Sequence, residues 1–334
     1  MTLEVRKRRP RKKIWLNVIK FVISASLIIY LLQRVGLDSI LQQLAAANWT
    51  FAVIGIGMFS LSNALGSLQW YILLRSQHID ISYRSVLSFY HVGLFFNNFL
   101  LGYVGGDAFR IWDISKKAND TTAAFSTVLF DRFVGFFALT SLAMIISLIW
   151  LQMLTSIKTV YFIAVVLGAW LFGLYLLFNE RAARIMVNVF RPFLPRIVLE
   201  KSRNVYMAIN RFRHKKRLMV RVFFIATIVQ AMRVMVHYWA ALAVGVNEKL
   251  LYFFIFIPII AMAASLPISL GGIGVREQSG VSLFTGVGVA ASKVVSFEFL
   301  AYLIAIIATI PGGIIFAIRR EKEHIHYRRE TNPL

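Results

Sequence analysis

Cysteine is absent from this chain, and with it every disulfide, thiolate metal site and cysteine nucleophile. Acidic residues are scarce, with 15 Asp and Glu against 37 Lys and Arg in 334 residues. Few carboxylates remain for acid–base or metal chemistry. The motif Gly-x-x-x-x-Gly-Lys-Ser/Thr is missing, so no nucleotide site is expected, and neither Gly-x-Ser-Gly nor His-Glu-x-x-His occurs. Gly105-Gly106-Asp107 resembles the Gly-x-Gly-Asp of aspartyl intramembrane proteases, but Val104 stands where the first glycine belongs. The sequence therefore predicts a protein that is not an enzyme and carries no cofactor. No long linker or low-complexity segment divides it.

What is abundant is apolar surface. Hydrophobic residues make up 58% and charged residues 16%, above the roughly 45–50% apolar share of soluble domains. Spans of roughly 20 apolar residues meet the length criterion for a transmembrane helix. Six candidates are Ile14 to Leu32, Trp49 to Leu74, Ala123 to Leu151, Val160 to Phe178, Val222 to Val246 and Val294 to Ile318. The first resembles a signal peptide but has no small-residue cleavage site at its end, and is read as a retained helix.

The net charge of +22 is confined to particular loops. Residues 1–13 carry Arg6, Lys7, Arg8, Arg9, Arg11, Lys12 and Lys13, and twelve Lys/Arg against two Glu fall between Glu180 and Arg221. A basic tail, 319–334, follows the last span. Positive-inside bias places all three in the cytoplasm, both termini included, with Leu37 to Ala47 and Asn247 to Lys249 outside a cytoplasmic membrane. Nucleic acid is not expected as a partner, because Phe212 is the one aromatic available to stack in the most basic stretch.

Two further apolar segments, Val86 to Val104 and Leu250 to Leu270, lead into an internal echo. Leu100-Leu-Gly-Tyr-Val-Gly-Gly-Asp-Ala-Phe-Arg110 and Leu266-Pro-Ile-Ser-Leu-Gly-Gly-Ile-Gly-Val-Arg276 both read Leu, four residues, Gly-Gly, three residues, Arg. Broken segments in corresponding positions of two halves point to the binding site of a repeat-built transporter. Broken backbone at membrane depth persists only where it lines a cavity or is buried in protein. Each segment is read as re-entrant, entering and leaving on one side, which keeps Arg75, Arg84, Arg110, Lys116 and Lys117 cytoplasmic. A competing parse makes Leu250 to Leu270 and Gly280 to Val295 two more crossings. The fold expected is an all-α polytopic membrane protein of six to eight transmembrane helices with two re-entrant segments and an inverted repeat.

The candidate substrate residues are Asn97, Asn98, Gly105, Gly106, Arg110, Asp131, Arg132, Arg233, Gly271, Gly272, Arg276 and Glu277. Arg110 and Arg276, each beside a helix break, offer planar forks for a phosphate; the alternative is that they snorkel to the interface as anchors. The glycine pairs either free backbone amides or allow close helix packing. Asn97 and Asn98 need partners in an apolar segment. Asp131 and Arg132 point about 100° apart on a helix, so each needs a different partner. Arg233 and His237 share one face. His237 reads as a structural histidine with a proton-linked role as the alternative, and Glu277 and Glu298 either offset buried cations or accept protons.

Phe95-Phe-Asn-Asn-Phe-Leu-Leu-Gly-Tyr-Val-Gly-Gly-Asp-Ala-Phe-Arg110, then Asp131-Arg132, Arg233 and Leu266-Pro-Ile-Ser-Leu-Gly-Gly-Ile-Gly-Val-Arg-Glu277 resemble the transmembrane domain of the lysylphosphatidylglycerol synthase/flippase family, also called UPF0104 membrane proteins. The resemblance covers nearly the whole chain and implies movement of a phospholipid or polyprenyl-phosphate-linked lipid across the bilayer. No counterpart of the family's soluble aminoacyl-transferring domain is expected after Ile318, which puts lysyl transfer out of reach. A scaffold or regulator of lipid synthesis is the alternative, with a membrane glycosyltransferase behind it. A homo-oligomer is compatible with the sequence.

Overall fold

A computed structural model describes residues 36–99, 105–118, 120–149, 179–190, 215–265 and 272–331, with isolated positions elsewhere, Phe212 and Ser269 among them. Every regular element among these is helical: α1 Leu37–Ala45, α2 Trp49–Ser76, α3 Tyr83–Phe99, α4 Gly105–Ala118, α5 Thr121–Ile149, α6 Glu180–Phe190, α7 Lys216–Ala243, α8 Leu250–Ser265, α9 Val275–Phe284 and α10 Ala291–Thr331. Four are long and apolar enough to cross a membrane: α2, α5, α7 and the Ala291–Arg319 part of α10. They match four of the six expected spans; Ile14 to Leu32 and Val160 to Phe178 lie largely outside the described residues.

These helices are built inside out. Ser62, Asn63, Ser67 and Gln69 of α2 and Ser126, Thr127 and Asp131 of α5 are buried, while Val53, Leu61, Ile145, Phe224 and Ile314 are exposed. In water that distribution would be costly; in a bilayer the apolar faces meet lipid and the polar groups find partners inside the bundle.

Hydrogen bonds fix which helix ends lie together. At one end, Lys215 Nζ donates to the Ser76 carbonyl, Lys117 Nζ to Ser85 Oγ at 3.3 Å, and Arg319 to both oxygens of Asp113 at 2.6 and 3.1 Å. At the other, Asn48 N donates to the Ala243 carbonyl at 2.8 Å, Gln43 to Ser292 at 2.9 Å and Lys293 to the Gly245 carbonyl at 2.9 Å. Thus α2 runs toward the basic end, the hairpin α3–α4 starts and finishes there, and α5 leaves from it. Conversely α7 runs to the far end, α8–α9 starts and finishes there, and α10 returns. The same four-element unit occurs twice with opposite direction, which is the inverted repeat the echo predicts.

The segments α3–α4 and α8–α9 are short helices packed against each other, each a hairpin rather than a crossing. The competing parse fails at Gly280 to Val295: α9 ends at Phe284, and Gly288 at φ +93° turns the chain before α10. Helix starts within the echo differ. Gly105 and Gly106 are the first two residues of α4, whereas Gly272 lies in the turn before α9 begins at Val275.

Close backbone approach explains several glycines. A Cβ on Gly106 would lie 1.7 Å from the Gly93 carbonyl oxygen, and one on Gly272, at φ +77°, 2.8 Å from the Ala264 Cβ. Each hairpin is pinched at a position where a side chain does not fit. Gly312 likewise sets α10 against the α3 backbone, its Cβ position 2.1 Å from the His91 carbonyl oxygen.

Candidate functional site

The two hairpins face a common cavity of about 910 Å³ lined from α2, α3, α4, α5, α7, α8, α9 and α10. Asn97, Asn98, Arg110, Asp131, Arg132, Arg233 and Arg276 are all in its wall. Sequence reasoning thus assembles seven of its candidates in one space, drawn from both halves. Helix rise places Arg132 about 17 Å from the basic end of α5 and Arg233 about 15 Å from the far end of α7, so both are near mid-depth.

One side of the cavity is a closed charge network. Arg110, 2% exposed, directs Nη2 to Asp131 at 2.9 Å and Nη1 to Asp107 at 3.4 Å. Its guanidinium lies over Trp70 at 4.1 Å and Tyr90 at 4.6 Å. Gln69 donates to the other oxygen of Asp131 at 2.9 Å. Arg132 grips Asp107 with both arms, Nε at 2.7 Å and Nη2 at 2.9 Å. Asp131 and Arg132 do have different partners, as their angular separation requires. The expected phosphate fork of Arg110 meets a different arrangement: both terminal nitrogens already face carboxylates. Two arginines and two aspartates balance in charge, and removing one partner of the buried Arg110–Asp131 pair leaves the other without its counter-charge.

Asn97 and Asn98 bind the frame. Asn97 Oδ1 accepts from Gly106 N at 2.9 Å, capping α4. Asn98 Nδ2 donates to Thr309 Oγ1 at 2.7 Å, and its carbonyl accepts from Tyr302 at 3.3 Å. At the second tip Glu277 caps α9 by accepting from Gly274 N at 2.7 Å, and lies outside the cavity wall. Arg276 packs over Tyr302 at 4.8 Å, with Glu277 at 3.7 Å. Gly271 lies outside the described residues.

Arg233 is different. Among the described residues no carboxylate lies within ion-pair distance of it, its buried Nε has no hydrogen-bond partner, and its nearest ring is Phe59 at 5.9 Å. An arginine with no ion-pair partner among the described residues, in a cavity, is equipped to bind an anion.

The whole-chain comparison now bears on the same residues. The family described as "Lysylphosphatidylglycerol synthase TM region" matches residues 17–313. The chain belongs to that family. Similar proteins include a UPF0104 membrane protein of Pyrococcus horikoshii, 24% identical over 322 residues that cover 90% of this chain and 96% of that one. Another, from Methanothermobacter thermautotrophicus, is 25% identical over 332 residues covering 92% and 93%. Membership of the lysylphosphatidylglycerol synthase transmembrane-region family establishes a multi-pass membrane protein.

Several residues of this site escape a reading of the sequence alone. Asp107 carries a signal in its i,i+3 spacing to Arg110, but its grip on Arg132 depends on how α4 meets α5. Gln69, Trp70 and Tyr90 have no local signature. Phe212, the one aromatic available to stack in the most basic stretch, is buried against Phe130 with ring centroids 4.3 Å apart.

Proposed function

We propose that this protein is a lipid translocase, moving the polar headgroup of a phospholipid or polyprenyl-phosphate-linked lipid across a cytoplasmic membrane through the cavity while the acyl chains stay in the bilayer. The observation that carries the reading is Arg233: a cation without a carboxylate partner among the described residues, at mid-depth where two inverted hairpins meet. A volume of about 910 Å³ is in the range that holds small ligands. Inverted halves supply two related arrangements of the same walls, the basis of alternating access. Basic residues at the Lys215–Arg319 end support a cytoplasmic side there. In this reading the phosphate is bound by Arg233 and flanked by Arg276, and the Arg110 network keeps the first hairpin in place. No bond is made or broken, and neither a cofactor nor nucleic acid takes part.

The test uses purified protein in phosphatidylcholine liposomes with phosphatidylglycerol labelled on a short acyl chain, and bleaching of outer-leaflet label. Translocation should be protein-dependent and fall about ten- to hundredfold in Arg233→Gln, because hydrogen bonds to a charged group contribute about 1.5–3 kcal/mol. A rate equal to that of protein-free liposomes would refute the proposal.

A further inference from the structure

One buried titratable pair is not used by the headgroup reading. α7 carries Arg233 and His237 one turn apart, both in the cavity wall. Behind His237 stands Glu298 of α10, with Nδ1 and Oε1 separated by 3.3 Å. Glu298 is 0% exposed, and neither of its oxygens has a hydrogen-bond partner. Gly280 of α9 leaves room for it: a Cβ there would come within 3.5 Å of the Glu298 Cγ. A buried carboxylate without donors is costly unless a positive charge or a proton neutralises it. The group in place to do so is the His237 imidazole, which can carry a proton.

We propose that His237 and Glu298 form a one-proton site coupled to the anion site at Arg233, so that this protein moves a proton together with an anionic headgroup. The inference rests on the translocase reading. With the pair empty of its proton, the Glu298 charge beside His237 opposes an anion at Arg233, which lies one helical turn from His237. A proton taken from the outer solution onto His237 Nδ1 makes the pair neutral overall, and the cavity gains one positive charge. The anionic headgroup then binds, so proton and anion favour each other's binding reciprocally. Both leave on the cytoplasmic side, the proton returning to water and the pair to its starting charge. Helix rise puts Glu298 about 10 Å inside the far end of α10, the end assigned to the outside, where an energised membrane is acidic.

Other charges face the same space. Arg233 lies on α7, Tyr302 on α10, Arg276 on α9, Arg110 on α4, Tyr90 on α3, and Asp131 and Arg132 on α5, while Glu277, outside the wall, lies 3.7 Å from Arg276. α8 has no Asp, Glu, Lys, Arg or His, and the cavity-facing part of α2 has none either. Asp131 is held by Arg110 and Gln69, Arg132 by Asp107, and Glu277 by Gly274 N. That leaves the His237–Glu298 pair as the group whose charge is open to change beside Arg233.

The experiment follows inward movement of the same labelled phosphatidylglycerol in proteoliposomes at pH 7.5 on both sides, and with pH 6.0 outside. Acid outside should raise the inward rate at least threefold in the native protein. Glu298→Gln, which is isosteric and removes the carboxylate of the pair, should lose the stimulation. His237→Gln should lose the stimulation as well. A native protein that moves lipid without responding to the gradient, or a Glu298→Gln variant that still responds, overturns the proton site and leaves the translocase reading standing. If the native protein moves no lipid, the translocase reading fails, and infrared difference spectra between pH 5.5 and 8 then decide the pair. A carboxylate or imidazole band removed by both substitutions supports a shared proton, and its absence ends the proposal.

Discussion

The two hairpins have one architecture and two electrostatic characters. In the half that holds α3–α4, the cavity's cations are matched: Arg110 of α4 with Asp131 and Asp107, Arg132 of α5 with Asp107. In the half that holds α8–α9, Arg233 has no carboxylate partner among the described residues, and a fully buried Glu298 faces only an imidazole. Related backbone units have thus been given different tasks. The first half is a pillar whose charges cancel internally; in the proposed mechanism the second keeps charge in reserve, for a ligand or a proton to complete.

The sharpest way to break the comparison is to unbalance the pillar. Asp131→Asn removes the closer carboxylate of a 2% exposed Arg110, and breaking one partner of a buried pair costs about 3–5 kcal/mol. Its thermal unfolding in detergent should fall well below that of Arg276→Lys, which alters the half with charge in reserve. Equal losses would mean the two tips are electrostatically alike.

A steric version is gentler. Gly106→Ala places a methyl 1.7 Å from the Gly93 carbonyl oxygen, whereas Gly286 has nothing within 4 Å of the same position. Overpacking costs about 1–3 kcal/mol, so Gly106→Ala should lower the unfolding temperature in the same assay while Gly286→Ala leaves it within error. If both are neutral, the hairpin is not pinched.

How much of this was legible in the sequence depends on the scale of the interaction. Continuous apolar runs located α2 and α5 to within two residues: Trp49 to Leu74 was expected against Trp49–Ser76 found, and Ala123 to Leu151 against Thr121–Ile149. Where helix outlasts apolarity the reading falls short. α7 begins at Lys216 rather than Val222, and α10 continues to Thr331 rather than stopping at Ile318, because charged residues sustain helix as well as apolar ones do. The glycine echo located both hairpins, since a broken run is a local signal. It did not reveal that Gly106 abuts Gly93 or that Asp107 grips Arg132. Those contacts join segments whose facing sides are set by tertiary packing, and no spacing rule encodes them.

The central claim is that lipid headgroups cross through the cavity between the halves rather than along the outside of the bundle. A chain without cysteine makes a direct test available. Ala261→Cys places a thiol in the cavity wall, and Ile145→Cys places one on a surface 52% exposed toward lipid. Each variant is labelled to the same extent with a bulky maleimide, and phosphatidylglycerol translocation is measured before and after. The account predicts that labelling at 261 reduces the rate at least tenfold while labelling at 145 leaves it unchanged. A protein labelled at 261 that still transports at its unlabelled rate would contradict it.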